Sequence, residues 1–128
     1  MPTLDDVAGI AARLPGSEER PSGGGLAWFV RRRPFAWEVM PWPSQPDEVR
    51  ALVAGEPCLG VTLADEDDAR ALAQMRPDVF VTSATKWGGP KILVRLGPAP
   101  PDHLAELVVE SWRLQAPQYL RREFDAAG

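Results

Sequence analysis

Arg31, Arg32 and Arg33 stand in a row between two apolar runs, and Lys86 and Lys91 flank Trp87 between two others. Of all the residues in this chain, these have the types and spacing best suited to chemistry on a partner. Guanidinium and ammonium groups on a projecting turn contact phosphate oxygens, and an indole beside them stacks on a base or wedges between bases. The chemistry implied is the binding of a polyanion, with double-stranded DNA as the expected partner.

Catalytic motifs are incomplete. Ser83-Ala84-Thr85-Lys86 spells S-x-x-K, yet acylating enzymes of that type also need Ser-Asp-Asn and Lys-Thr-Gly elements, and the sequence has neither. Gly23-Gly24-Gly25 lacks the Gly-Lys-Ser/Thr ending of a phosphate loop and reads as a turn. Asp65, Asp67 and Asp68 are explained as charges at a helix start. With Cys58 the sole cysteine and His103 the sole histidine, a disulfide framework is impossible and a typical zinc site lacks ligands. Cys58 reads as a small core residue and His103 as a surface one. The expectation is a non-enzymatic protein with no metal and no cofactor.

Length and composition frame that expectation. The chain has 128 residues, 45% of them hydrophobic, which suits one domain spanning 1–128 with a single core. A net charge of −4 gives no global attraction to nucleic acid, so a polyanion site must be local. The opening MPTLDDVAGI has no basic start or long apolar run, and no segment reaches the length of a membrane span. A soluble, cytoplasmic protein is expected.

The elements that must position the basic turns follow from periodicity. Thr3 caps a helix carrying Leu4, Val7, Ile10, Ala11 and Leu14, and GSEERPSGGG after it reads as a loop. Leu26 to Val30 and Phe35 to Met40 form a hairpin. With Arg32 and Arg33 at its tip, Trp28 faces Trp37, Val30 faces Phe35 and Leu26 faces Val39. Arg-Arg suits a two-residue primed turn poorly, so a longer or bulged loop is expected. Ser44 with Pro46 and Asp47 starts a short helix carrying Val49, Leu52 and Val53 up to Gly55, and Cys58 to Leu63 alternates as a strand with one apolar face. Asp65 caps the next helix.

Val79 to Thr82 and Ile92 to Leu96 make a second hairpin about Gly88-Gly89. Pro100 and Pro101 then open a helix with Leu104, Leu107, Val108 and Trp112 on one face, and Pro117 opens a last one. The order α-β-β-α-β-α-β-β-α-α assembles as an α+β fold: a single antiparallel-rich sheet of about five strands packed against helices.

VFVTSATKWGGPKILVRL with its following Pro-Asp helix, ESWRLQAPQYLRREFD, and the N-terminal TLDDVAGIAARLPG and LAWFVRRRPFAWEV together resemble the MmcQ/YjbR family over nearly the whole chain. The resemblance implies a frataxin-like or secretion-chaperone-like fold and DNA binding through two β-hairpin wings. Carried over, the wings are the hairpin around Arg31, Arg32 and Arg33 and the one around Lys86, Trp87, Gly88, Gly89 and Lys91. Where many members carry a Pro-His pair after the fourth strand, this chain has Ser83-Ala84.

Two other functions fit the same sequence. A protein- or peptide-binding adaptor would expose an apolar patch including Trp42, Trp87 or Tyr119. A small-molecule binder would need a deep cleft between the wings with convergent polar groups.

Overall fold

Residues 1–82 and 90–127 are described by this computed structural model. The strands are β1 (Ser17–Ser22), β2 (Gly25–Val30), β3 (Arg33–Glu38), β4 (Cys58–Thr62), β5 (Phe80–Val81) and β6 (Lys91–Arg95). They form one sheet of order β1-β2-β3-β4-β6-β5, with every pairing antiparallel. The helices are α1 (Leu4–Ala12), α2 (Asp47–Gly55), α3 (Glu66–Met75), α4 (Pro101–Gln115) and α5 (Gln118–Ala127). The α+β architecture expected from periodicity is therefore present, with six strands in place of about five.

The added strand is β1, inside the segment read as a loop. Its residues, Ser-Glu-Glu-Arg-Pro-Ser, have no apolar alternation because β1 is an exposed edge strand. Pairing with β2 and a Gly23-Gly24 turn at φ 61° and 89° hold it in place. Pro21 is tolerated because an edge strand has one row of backbone groups without partners. Glu19 accepts a hydrogen bond from Trp28 Nε1 at 3.0 Å, tying the polar strand to the core indole.

One face of the sheet carries Trp28, Val30, Phe35, Leu59, Val61, Ile92 and Val94, packed in one cluster with Val7 of α1 and Leu104, Val108 and Trp112 of α4. Ser111 is fully buried between α4 and the sheet. Its hydroxyl donates to the Phe35 carbonyl at 2.5 Å and accepts from the Thr62 amide at 2.9 Å. On the opposite face α2 brings Val49 and Val53 against Val39, Cys58 and Leu93. Cys58 to Val61 are consequently buried on both faces, not on one as the alternation suggested.

α2 covers only part of that second face. The part left open lies over β2, β3, the end of β1 and the start of β6, and there the candidate site is found.

Candidate functional site

The β2–β3 turn is tighter than the sequence suggested. Arg31 and Arg32 are its two central residues, at φ 51° and 72°, the left-handed values a primed hairpin turn requires. Val30 pairs with Arg33, Phe29 with Pro34, Trp28 with Ala36 and Ala27 with Trp37. The expected tip at Arg32-Arg33, and the pairing of Trp28 with Trp37, are corrected accordingly. The slip comes from the tip, which lies one residue earlier than expected and also undoes the pairings of Val30 with Phe35 and of Leu26 with Val39; a bulge with Phe35 the extra residue on β3 then restores one residue of the register. Phe35 and Ala36 thereby both face the main core, and Trp37 faces the open side.

Trp37 forms the floor of the site. Gly60 lies opposite it in the ladder, and a Cβ there would stand 2.2 Å from the indole Cε2 and Nε1, so the ring can cross β4 only because residue 60 is glycine. Trp42 forms a wall. Its Nε1 donates to the Gly23 carbonyl at 2.8 Å, and its amide donates to Oε1 of buried Gln45 at 3.0 Å. Two indoles are thus fixed by partners of their own before any ligand arrives.

Arg33 and Lys91 line one groove with Phe29, Trp37, Glu38 and Trp42, a cavity of about 460 Å³. A smaller one of about 140 Å³ adjoins it, sharing Trp37, Trp42 and Lys91. Lys91 Nζ lies 5.3 Å from the Trp37 ring centroid, within cation–π range, and burial pulls its pKa below the ordinary lysine value. Glu38 Oε1 accepts from the Leu26 amide at 3.1 Å.

Among the described residues, Arg20, Arg50, Arg70, Arg76, Arg95 and Arg113 each have a carboxylate within ion-pair distance; Arg31, Arg32, Arg33 and Lys91 do not, and neither do Arg13 at the end of α1 and Arg121 and Arg122 on α5, which are not part of the groove lining. Arg31 instead lies 5.9 Å from the ring centroid of Tyr119 on α5, whose side of the sheet is the helical one. Arg32 is exposed at the tip.

Of the residues singled out in the sequence, Arg33 and Lys91 therefore meet in one groove, while Arg31 and Arg32 crown the turn beside it. Lys86 and Trp87, the S-x-x-K stretch and the Gly88-Gly89 tip lie outside the described residues. Trp37, Trp42 and Tyr119 were not recognised as groups of the cation site. The signal for Trp37 was a glycine inside an apolar strand, which marks close approach.

His103 is half-buried, not a free surface residue, and packs edge-on against Phe80 at 5.4 Å. Cys58 is buried, and burial pushes its thiol up to about 11, with Glu56 adding to the shift. Among the described residues no group of three or more His, Cys, Asp and Glu side chains is placed to hold a metal ion, and no helix is long and apolar enough to cross a membrane.

An antiparallel sheet with α1, α3, α4 and α5 on one face, and α2 beside an aromatic, cation-lined groove on the other, defines an α+β protein with a partly open sheet face. No family model matches the sequence. The uncharacterised proteins Rv2570 and MT2646 of Mycobacterium tuberculosis and Mb2600 of Mycobacterium bovis are each 35% identical over 128 residues, covering 97% of this chain and 96% of each relative. The chain belongs to the family of these mycobacterial proteins. Among solved structures it is similar to Deinococcus radiodurans DR2400, a DUF419 domain, with a TM-score of 0.69 and 20% identity over 98% of this chain and 89% of that one. That likeness shows the shared fold.

Proposed function

We propose that this chain is a non-enzymatic DNA-binding protein of the MmcQ/YjbR kind, holding a phosphate backbone with Arg31, Arg32, Arg33 and Lys91. The observation that carries this reading is the convergence of Arg33 from one hairpin and Lys91 from another on a single groove, free of carboxylate partners among the described residues. A cation without an internal partner keeps its full attraction for phosphate, whereas a paired one must first be released. The net charge of −4 does not oppose this, because contact is confined to one turn and one groove.

The test is fluorescence anisotropy of a labelled duplex from low to physiological salt, with the wild type and with a variant in which Arg31, Arg32, Arg33 and Lys91 are all changed to Gln. Binding should weaken with a log–log salt slope of about −0.9 per phosphate neutralised and be lost in the variant. Absence of binding at low salt to duplex and single strand alike, or undiminished binding by the variant, overturns the reading.

A further inference from the structure

We propose that the groove between Arg33 and Lys91 receives an unstacked nucleobase, which makes single-stranded DNA the preferred ligand. This deepens the DNA-binding reading and rests on it.

The groove joins two features that together define single-strand sites: cations that follow a backbone and aromatic rings on which bases stack. In a duplex the faces of the bases are covered by their neighbours, so the indoles of Trp37 and Trp42 would find no ring to stack on. A single strand can turn a base into the groove and leave its phosphates to the cations. The pairings of Lys91 with Thr62 and of Val61 with Ala36 set Lys91 level with Phe35, so it stands at the same end of the sheet as Arg33. β4 lies between their strands, which are roughly 10 Å apart at the usual strand spacing, and the Trp37 indole crosses it as a floor on which a base can stack.

Size and rigidity agree with that occupant. The cavity of about 460 Å³ falls in the roughly 300–1,000 Å³ range of sites for small organic molecules. Trp37 is seated on Gly60 and Trp42 is bonded to Gly23, so little side-chain freedom remains to be lost on binding. Thr62 and Gln115 also line the groove; Gln115 Nε2 donates to Thr62 Oγ1 at 3.5 Å, which leaves the Thr62 hydroxyl proton and the Gln115 amide carbonyl for a base edge.

The experiment compares three labelled ligands at low salt: a thymidine single strand, the same strand with abasic positions, and a duplex. Anisotropy is read for the wild type and for Trp42→Leu, with tryptophan quenching as a second readout and thermal melting as a check that the variant is folded. The intact strand should bind roughly 5- to 150-fold more tightly than the abasic one, the equivalent of the ~1–3 kcal/mol per stacked base. It should also bind more tightly than the duplex, and Trp42→Leu should narrow the gap to the abasic strand. Equal affinity for intact and abasic strands, or a duplex bound as tightly as the single strand, overturns the inference and leaves DNA binding standing. Failure to bind any of the three overturns both.

Discussion

Gly60 and Trp37 sit opposite one another in the β3–β4 ladder so closely that a Cβ on the first would lie 2.2 Å from the indole of the second. The absence of a side chain at one position thus sets the ring that floors the groove. Gly60→Ala should destabilise the protein by ~1–3 kcal/mol, as overpacking does, and displace the indole. Urea unfolding reads the first effect and tryptophan emission the second. The cost should shrink when Trp37 is also changed to Ala, because the two residues share one contact.

The Arg31-Arg32 turn sets stability against charge. Left-handed backbone costs a residue with a Cβ roughly 1–2 kcal/mol, and both arginines adopt it. Changing Arg31 to Asn and Arg32 to Gly should raise the melting temperature by several degrees while weakening DNA binding at low salt. A lower melting temperature would mean that the Arg31–Tyr119 contact outweighs the backbone strain.

Ser111 anchors α4 to the sheet through two hydrogen bonds in a dry environment. Ser111→Ala leaves the Thr62 amide and the Phe35 carbonyl without that partner and should cost ~1–3 kcal/mol in urea unfolding.

How much of this was legible in the sequence depended on the kind of signal. Helices announced by caps, such as Thr3 and Asp65, are where expected, and Thr3 and Asp6 form a reciprocal capping box. β1 was missed because Ser17–Ser22 owes its strand form to its neighbour and not to any apolar face of its own. The register of the β2–β3 hairpin differs because the turn is centred on Arg31-Arg32, two residues with no intrinsic preference for left-handed backbone, and because of the bulge at Phe35, neither of which an alternating pattern reveals. For the site, charge clustering pointed to Arg33 and Lys91. The sequence places the Trp37 indole on a strand face and the Trp42 indole in an exposed apolar patch, because their roles in the groove depend on contacts with Gly60 and Gly23, distant in sequence.

Cys58 gives a pH signature. Its thiol is raised from 9.0 to about 11 by burial, so between those values the folded state holds a proton that the unfolded state has lost. Stability should therefore fall as pH rises from about 9 to 11, by on the order of 2 kcal/mol, with that loss absent in Cys58→Ala. At neutral pH the native thiol should resist alkylation until the protein is unfolded.

The central claim, that the open sheet face binds DNA, is tested most directly by following indole N–H signals in a proton–nitrogen NMR titration with a short oligonucleotide. The chain supplies its own controls: the indoles of Trp28 and Trp112 are buried and hydrogen-bonded to Glu19 and to the Pro15 carbonyl. The account predicts that the Trp37 and Trp42 indoles and the Arg31, Arg32, Arg33 and Lys91 amides shift in step with added DNA while Trp28 and Trp112 stay in place. Shifts confined to other surfaces, or none at low salt, would contradict it.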